Sequence, residues 1–551
     1  GATVLSMHDQ VSDRSVLMLR TLLAAALCVL LVACTNLANL LVARALARRR
    51  ELAVRAAMGA GRERLVRQLL TESLLLSVAG GGLGVLIAVS ALPLLAHLVP
   101  TSLPIAEVPS IDLRVLGFAA FLTLATGIAF GLIPALRVSR REDAQTLREG
   151  RSGGLGGRKE QMRRILVVAE VAGSVALVAS AGLLLRALWR VQATNPGFQA
   201  ENVLSLRTAL PMPKYEERTA RETFYARVLG EARRAPGVSS AAYTSFLPMV
   251  HGGGVWPVEI PGRDHDGANR LNASLRFVTP GFFETMRIPL MMGRDVTEAD
   301  RFDRPFVAVV SASFVKRYFP NENPLGRHFQ FGNADRTIVG VVGNVRVRGL
   351  ERESEPQVYL SYLQHDQVSE WYAPKDLVVR STLPPADLAG TLRRIIHEAN
   401  PEQPVSDVQT LTQVLTADTA SRAVQLRVLG CFALVAFLLA AIGIHGLLSF
   451  TVSSRTQEFG VRMALGARSG DIARMVLRQG TALAALGAVA GIALAYAAGM
   501  VLRSLLSGVQ PGDWPTMTTA VALAAGMTIA SGALPAWRAA RVDPATVIRT
   551  E

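Results

Sequence analysis

Charged residues are scarce in this sequence. Asp, Glu, Lys and Arg make up 18% of its 551 residues, whereas a soluble chain carries about 25%. Cysteine is scarcer still, because Cys28, Cys34 and Cys431 are the whole set and all three lie in uncharged stretches. The charged remainder of the chain therefore has no cysteine for disulfides and must be stabilised by its own core.

Lysine is also rare, and its few positions exclude a nucleotide-binding P-loop. Such a loop needs G-x-x-x-x-G-K-[ST], in which backbone N–H groups hold phosphates and the lysine reaches them. The lysines are Lys159, Lys214, Lys316 and Lys375, and none of them follows a glycine. We expect that the chain does not hydrolyse ATP and is not an enzyme, because no nucleophile–base pair or paired carboxylates stand out. The histidines are scattered without H-E-x-x-H or C-x-x-C, so we expect no metal and no cofactor.

Long uncharged runs are present instead. Each of six runs is at least as long as the roughly 20 residues that a helix needs to cross a bilayer. A seventh run, Val171–Leu185, reaches that length once Ile165–Val168 are added. The sequence therefore predicts a polytopic α-helical membrane protein with seven spans. The six runs are Thr21–Ala43, Ser73–Ala106, Val115–Leu136, Val428–Ser454, Gln479–Leu502 and Trp514–Trp537.

The net charge of +15 reports membrane topology. Four segments beside the runs hold 25 Lys/Arg and 10 Asp/Glu, so they carry the whole excess and the rest of the chain is neutral. Arg-rich loops on one side of a membrane indicate the cytoplasmic side. A nucleic-acid partner is therefore not expected, and the C-terminus is predicted to be cytoplasmic. These segments are Arg44–Arg67, Arg137–Arg164, Arg455–Arg478 and Arg538–Glu551.

One large exported segment, from about Val191 to Leu426, is predicted to form two small α+β lobes. Its alternating and compact apolar stretches predict strands, and its amphipathic stretches predict helices. Ser311 is placed to cap a helix that stops before Pro320. A nearly continuous helix over Val408–Ser454 would reach about 70 Å, twice the hydrocarbon core, so part of it should form a stalk. The strands are predicted at Glu201–Leu210, Val238–Thr244, Phe306–Val310, Ile338–Val342 and Asp376–Arg380, and the helices at Glu216–Arg234 and Pro385–Asn400.

An internal repeat is the strongest signal in the chain. Glu51–Ala60 and Glu458–Ala467 share the pattern E-x-x-V-R-x-A-x-G-A, and each copy lies between two predicted spans. The third span of each set also ends alike, at Ile133–Arg140 and Leu534–Arg541. The chain is therefore predicted to contain a duplicated three-span block.

The repeated motif has a direct physical interpretation. In a helix, Glu51 and Arg55 are i, i+4 neighbours in the favourable order, as are Glu458 and Arg462. Val54, Ala57 and Met58 form an apolar face that can lie along the membrane surface. Gly59–Ala60 and Gly466–Ala467 suit a sharp turn. The motif is either an amphipathic connector or a docking surface, and its repetition at the same topological place favours docking.

Three features inside the spans have competing interpretations. Gly80-Gly81-Gly82 resembles a phosphate loop but suits close helix packing better. His445 is either a proton relay or a residue bonded to a neighbouring helix or a headgroup. Glu170 either faces the bundle interior with a partner or lies near the membrane interface, close to Arg163 and Arg164.

These motifs resemble those of the MacB/FtsX-like ABC transporter permeases, especially the duplicated permeases of acidobacterial type. The resemblance includes the two E-x-x-V-R-x-A-x-G-A segments, the Leu-Pro-Ala-x-Arg-x-x-Arg span end and the tail Val542–Ala545. The exported segment resembles the MacB periplasmic core domain. Its similar stretches are Val278–Phe283, Gly293–Asp295, Tyr318–Pro320 and Gly340–Val345.

The resemblance implies a domain order. We expect a three-span permease block at 1–150, a cytoplasmic linker and opening span at 151–190, a periplasmic α+β domain at 191–426 and a second three-span block at 427–551. A family unit is one span, a periplasmic domain and three spans, so the first unit is expected to be truncated at its N-terminus. The resemblance places the chain in the bacterial inner membrane, with its large domain periplasmic.

The resemblance also implies a function. We expect a permease subunit that transmits movement from a separate dimeric cytoplasmic ABC ATPase to the periplasm, for efflux of macrolide-like, peptide or lipoprotein cargo. A periplasmic adaptor and membrane lipid are the further partners implied. Glu51, Arg55, Gly59, Ala60, Glu458, Arg462, Gly466 and Ala467 are the expected ATPase-docking residues. The alternative is a non-transporting FtsX-like regulator or sensor of a periplasmic partner.

Overall fold

The structure is a computed structural model that describes residues 13–47, 62–98, 112–138, 155–211, 214–261, 271–331, 334–364 and 372–542. The chain divides into two compact units. The helical unit combines Gly1–Trp189 with Arg422–Glu551, and the sheet unit is Arg190–Ser421.

Long helices build the helical unit. With helices numbered through the whole chain, they are α1 (Asp13–Ala47), α2 (Arg62–Leu98), α3 (Leu113–Val138), α4 (Leu155–Gln192), α9 (Leu411–Ser454), α10 (Thr456–Ala464), α11 (Ser469–Val501) and α12 (Trp514–Ala540). Helices α4 and α9 extend across the boundary between the units in sequence, because their ends belong to the sheet unit.

Within the described residues, six helices are long and apolar enough to cross a membrane. They agree with six of the predicted spans, so a polytopic helical membrane protein is confirmed. The predicted span Val115–Leu136 falls on α3, whose side chains the structure describes over Leu113–Ile128, so the count of seven stays a prediction. The six apolar segments are Val16–Leu37, Leu70–Pro93, Arg163–Gln192, Leu411–Ser454, Ser469–Val501 and Trp514–Ala540.

The spans are apolar on every side, as expected of helices that contact both protein and lipid. Helices α4, α9, α11 and α12 meet in one core that includes Val171, Leu448 and Val476. On the opposite side of α11, Leu486 is 62% exposed and Val489 is 70% exposed. Exposed apolar side chains of this kind are expected where a helix contacts lipid.

The polar features inside the spans now have definite positions. Glu170 is buried in the bundle, which supports its interior placement over the interface placement. The Nδ1 atom of His445 lies 3.1 Å from the Ser531 carbonyl oxygen of α12, so His445 is bonded to a neighbouring helix as expected. A Cβ on Gly81 would lie 2.7 Å from Thr123 of α3, which confirms helix packing at this glycine.

The sheet unit contains a split βαβ lobe. Strands β1 (Val203–Arg207), β2 (Val238–Thr244), β10 (Asp376–Ser381) and β11 (Ser406–Thr410) pair antiparallel in the order β11-β1-β10-β2. Helix α5 (Arg218–Arg234) connects the first two strands, and α8 (Ala389–Ala399) connects the last two. Both helices bury apolar residues at helical spacing against the sheet, for example Tyr225 and Val228 of α5.

A second lobe lies between β2 and β10 in the chain. Its strands pair in the order β4-β3-β7-β8-β6-β9, and β9 pairs back to β4, which closes the ring. Closure removes the free sheet edges, and the core holds the side chains of Phe314 and Phe329. The elements are β3 (Val255–Glu259), β4 (Asn272–Val278), α6 (Phe282–Met286), β5 (Leu290–Gly293), β6 (Val307–Ser311), α7 (Ala312–Tyr318), β7 (His328–Phe331), β8 (Ala334–Val342) and β9 (Gln357–Ser361).

Local signals predicted helix α7 accurately. The Ser311 hydroxyl accepts the N–H of Phe314 at 3.2 Å, which is the expected N-cap, and the helix ends at Tyr318. The helix expected over Val408–Ser454 is wrong at its start. Val408–Thr410 belong to β11, and the long helix α9 begins at Leu411. Antiparallel backbone pairing of β11 with β1 competes with helix propensity there and prevails. Helix α9 still has 44 residues, about 66 Å at 1.5 Å per residue, and its Leu411 and Val414 lie in the core of the sheet unit.

Candidate functional site

The repeated motif forms a short helix between two spans in its second copy. Helix α10 follows α9 after Arg455, whose N–H is shared between the carbonyls of Thr451 and Val452 at 3.1 and 3.2 Å. The Thr456 hydroxyl also donates to the Val452 carbonyl at 2.9 Å. The first copy, with Glu51, Arg55, Gly59 and Ala60, lies outside the described residues.

A Schellman turn ends α10. The N–H of Ala467 donates to the Arg462 carbonyl, and the N–H of Gly466 donates to the Met463 carbonyl, both at 3.0 Å. Gly466 has a φ of +96°, a backbone conformation that side chains other than glycine disfavour. The glycine predicted to make a sharp turn therefore does so, and it determines how the chain leaves α10 for α11.

Ion pairs connect the ends of α10. The Arg462 Nη2 atom lies 2.6 Å from Glu458 Oε1, as the i, i+4 spacing predicts, and Arg455 Nε lies 3.9 Å from Glu458 Oε2. Arg462 Nη1 also approaches the Met475 sulfur of α11 at 3.7 Å. The side chains of Glu458 and Arg462 are 41% and 45% exposed, so each pair contributes at most about 1 kcal/mol to folding. The pairs orient the side chains more than they stabilise the protein.

The helix has a buried face and an exposed face. Phe459 and Met463, one turn apart, pack against the core of the helical unit. Val461 is 48% exposed and Leu465 is 83% exposed. These two side chains occupy the positions of Val54 and Met58 in the first copy, so the apolar face expected from the sequence is exposed in the second copy.

The two copies of the motif agree at most exposed positions and differ at the packed ones. Val461, Arg462 and Ala464 are exposed, Glu458 is half-exposed, and all four are identical to their counterparts in the first copy. The exposed Leu465 differs, because its counterpart is Met58. The packed positions Phe459 and Met463 correspond to Leu52 and Ala56, which differ in size. A connector needs only its packed face to fit, whereas identical exposed residues favour a common partner surface. We name Glu458, Val461, Arg462 and Ala464 the α10 face.

A second polar contact was not identified from the sequence. Asp513 caps α12 by accepting the N–H of Thr516 at 3.2 Å and its hydroxyl at 2.7 Å, and it forms an ion pair with Arg186 of α4. Burial alone would raise the pKa of Asp513, but the bonds from Thr516 and Arg186 hold it below its usual value. The cap pattern Asp513-Trp-Pro-Thr516 is a signal that could have located it.

Among the described residues there is no group of three or more His, Cys, Asp and Glu side chains placed to hold a metal ion.

Comparisons with protein families match most of the chain. The FtsX-like permease C-terminal domain matches residues 23–142 and 430–544, so it matches both halves of the internal repeat. The MacB-like periplasmic core domain matches residues 165–409. The repeat and the sheet unit therefore correspond to two domain families that the sequence motifs resembled.

Curated relatives are more distant. The pyoverdine export ATP-binding/permease protein PvdT of Pseudomonas putida is 25% identical over 290 residues, which are 51% of this chain and 44% of that protein. The macrolide export ATP-binding/permease protein MacB of Syntrophobacter fumaroxidans is 26% identical over 356 residues, 52% of this chain and 48% of that protein. The chain thus spans less than half the length of these relatives.

Solved structures match part of the chain at low scores. The periplasmic region of MacB from Actinobacillus actinomycetemcomitans is 15% identical, with a TM-score of 0.29, and the match covers 41% of this chain and 95% of that one. The extracellular domain of the noncanonic ABC-type transporter YknZ from Gram-positive bacteria is 16% identical, with a TM-score of 0.26, over 38% of this chain and 100% of that one.

Proposed function

We propose, because the chain belongs to the MacB/FtsX-like permeases, that it is the membrane-spanning subunit of an ABC-type exporter and couples ATP hydrolysis to movement outside the membrane. Permeases of this kind work with ABC ATPases. No lysine of this chain follows a glycine, so we propose a separate ATPase subunit as the source of the P-loop and propose that this chain is itself not an enzyme.

The α10 face is the observation that carries this proposal. Its four residues are exposed or half-exposed in the second copy and recur in the sequence of the first copy, whereas the packed residues Phe459 and Met463 do not recur. Two copies of one sequence motif suit a dimeric ATPase, since each protomer would meet one copy. The Schellman turn and the packing of Phe459 and Met463 hold α10 in a fixed orientation, so that a push on this face would reach α9 and α11.

The cargo is proposed from the relatives' names alone. Two of them are named for the export of pyoverdine and of macrolides, so we propose export of a small amphipathic or peptide-like molecule. A periplasmic adaptor and membrane lipid are the further partners of the proposed complex.

A charge placed on the α10 face tests the docking proposal. Val461→Glu should abolish binding of the ATPase that co-purifies with the wild-type chain from native membranes, because a carboxylate would be desolvated in the interface. The measurements are co-purification and stimulated ATP hydrolysis in nanodiscs. Val255→Glu is the matched control, since Val255 is 50% exposed and lies in the sheet unit. Docking is refuted if Val461→Glu still binds and stimulates the ATPase like the wild type.

The proposed orientation places seven spans in the membrane with the C-terminus inside. In a background without the native cysteines, Lys214→Cys and Lys316→Cys should react with an impermeant thiol reagent in intact spheroplasts. Ser152→Cys should react only after lysis, because it lies in an Arg-rich segment predicted to be cytoplasmic. The reverse pattern at any of these sites would overturn the orientation.

A further inference from the structure

Arg276 is a fully buried arginine in the sheet unit. It lies on β4, and its Nη1 atom donates to the Ser274 hydroxyl at 3.1 Å. Among the described residues, its Nε and Nη2 atoms have no hydrogen-bond acceptor. Burial lowers the pKa of this guanidinium, yet arginine stays protonated in proteins. A buried cation with two N–H groups that lack acceptors is costly, and an anion bound beside Arg276 would reduce that cost.

Three consecutive glycines, Gly252–Gly254, lie beside β4. The segment His251–Gly254, which we name the glycine loop, receives a hydrogen bond from the Ser274 hydroxyl to the Gly252 carbonyl at 3.4 Å. A second bond joins the Leu275 N–H to the Gly254 carbonyl at 3.0 Å. In the part of the chain that the structure describes, the N–H groups of the three glycines have no acceptor. Successive free N–H groups in a glycine-rich turn are a common anion-binding arrangement.

A second guanidinium borders the glycine loop. The Arg348 Nη1 atom lies so close to Gly252 that a Cβ at this position would be 2.6 Å from it. The Nε edge of Arg348 is occupied, because it donates to both carboxylate oxygens of Glu355 at 3.0 and 2.9 Å. Glu355 therefore pairs with Arg348, and its charge also acts on Arg276, so the three side chains together keep one net positive charge.

We propose that the glycine loop, Arg276 and Arg348 form a binding site for an oxyanion, either a phosphate or a carboxylate group. The loop N–H groups and the Nη atoms of Arg348 form its outer part, and Arg276 forms its inner part. Among the residues that the structure describes, only the two hydrogen bonds given above connect the glycines to β4. The loop can therefore lift from β4 and admit the anion to Arg276. His251 anchors the start of the loop through its bond with Arg207. The site is independent of the α10 face, so either proposal can fail without the other.

Thermal unfolding of the full chain in detergent micelles tests the site, with inorganic phosphate added against chloride at equal ionic strength. Phosphate should raise the Tm of the wild type in a saturable manner. Arg276→Met should remove this rise, and it should raise the Tm without phosphate because it deletes a buried charge whose hydrogen bonding is incomplete. A phosphate-dependent rise that survives in Arg276→Met would overturn the proposal.

Arg336→Met is the matched control. Arg336 is also buried, lacks acceptors for Nε and Nη1 among the described residues, and packs over the Phe306 ring, with 5.1 Å between its Cζ atom and the ring centroid. It lies on β8 and does not line the glycine loop, so its phosphate-dependent Tm rise should equal that of the wild type. Loss of the rise in both methionine variants would show a general loss of stability and refute the site.

A milder variant tests the outer part of the site. Gly252→Ala should displace the flexible Arg348 guanidinium without strain in the backbone, and it should weaken phosphate binding at least tenfold while the Tm without anion stays unchanged. Methyl phosphate and acetate, titrated separately, distinguish the two ligand groups, because the preferred one should saturate at lower concentration. No saturable effect of any of the three anions on the wild type would refute the site.

Discussion

Replacement of Gly487 or Gly491 by leucine is expected to prevent the helical unit from folding. These glycines lie one turn apart on α11 and face α4. An added Cβ at Gly487 would be 2.6 Å from the Val171 side chain and 3.0 Å from the Val168 carbonyl oxygen. At Gly491 it would be 2.7 Å from the Val175 side chain. Backbone atoms are among the obstacles, so no rotamer change can relieve the contact.

Leucine is expected to be so damaging because helices in a membrane associate through close packing at small residues. Lipid removes the hydrophobic driving force between helices, so this packing has to replace it. Overpacking by a single group costs about 1–3 kcal/mol, and a leucine adds several groups, so the penalty is comparable to a total stability of about 5–15 kcal/mol. The measurement is the yield of monodisperse protein after detergent extraction, together with its thermal unfolding.

Gly526→Leu is the matched control for this prediction. Gly526 lies inside α12, is exposed, and has no atom within 4 Å of an added Cβ. A leucine there should leave the yield and the Tm near those of the wild type. If Gly491→Leu behaves like Gly526→Leu, the described packing of α11 on α4 is wrong.

Valine at both Gly59 and Gly466 is expected to uncouple ATP hydrolysis from the permease without removing the chain from the membrane. At Gly466 the cost is conformational, since the φ of +96° disfavours a β-branched residue while no atom lies within 4 Å of an added Cβ. That cost is about 1–2 kcal/mol or more, enough to move the turn but not to unfold a span. ATPase stimulation in nanodiscs, compared with the wild type, is the measurement.

The variant Gly466→Asn distinguishes an effect of the left-handed backbone conformation from an effect of losing glycine itself. Gly466→Asn should retain most of the stimulation, because asparagine tolerates the left-handed conformation at a helix C-terminus. Full stimulation and full ATPase co-purification in the double valine variant would leave α10 as a plain connector.

Arg462→Ala should barely change folding, because exposed ion pairs contribute little.

The sequence by itself determined the features that depend on neighbouring residues. Runs without charge identified six helices that the structure describes, because crossing a bilayer requires about 20 consecutive apolar residues. The internal repeat located α10 and its turn at Gly466, because a helix end with a glycine has a local signature. Ser311 and Pro320 likewise bound α7, since capping and the missing N–H of proline act within one turn.

Only the tertiary structure decided which residues meet across the chain. Strands β3, β4, β5, β7, β9 and β11 were not predicted, because short strands carry little periodic signal and are stabilised by distant partners. The pairing of β9 with β4 places Leu275 opposite Val358. Arg276, whose Nε and Nη2 atoms lack acceptors among the described residues, lies on the same strand β4. The sequence also could not tell which face of α10 is packed, because both faces carry apolar side chains. Burial depends on the surface that the rest of the chain places opposite, and local sequence does not contain that surface.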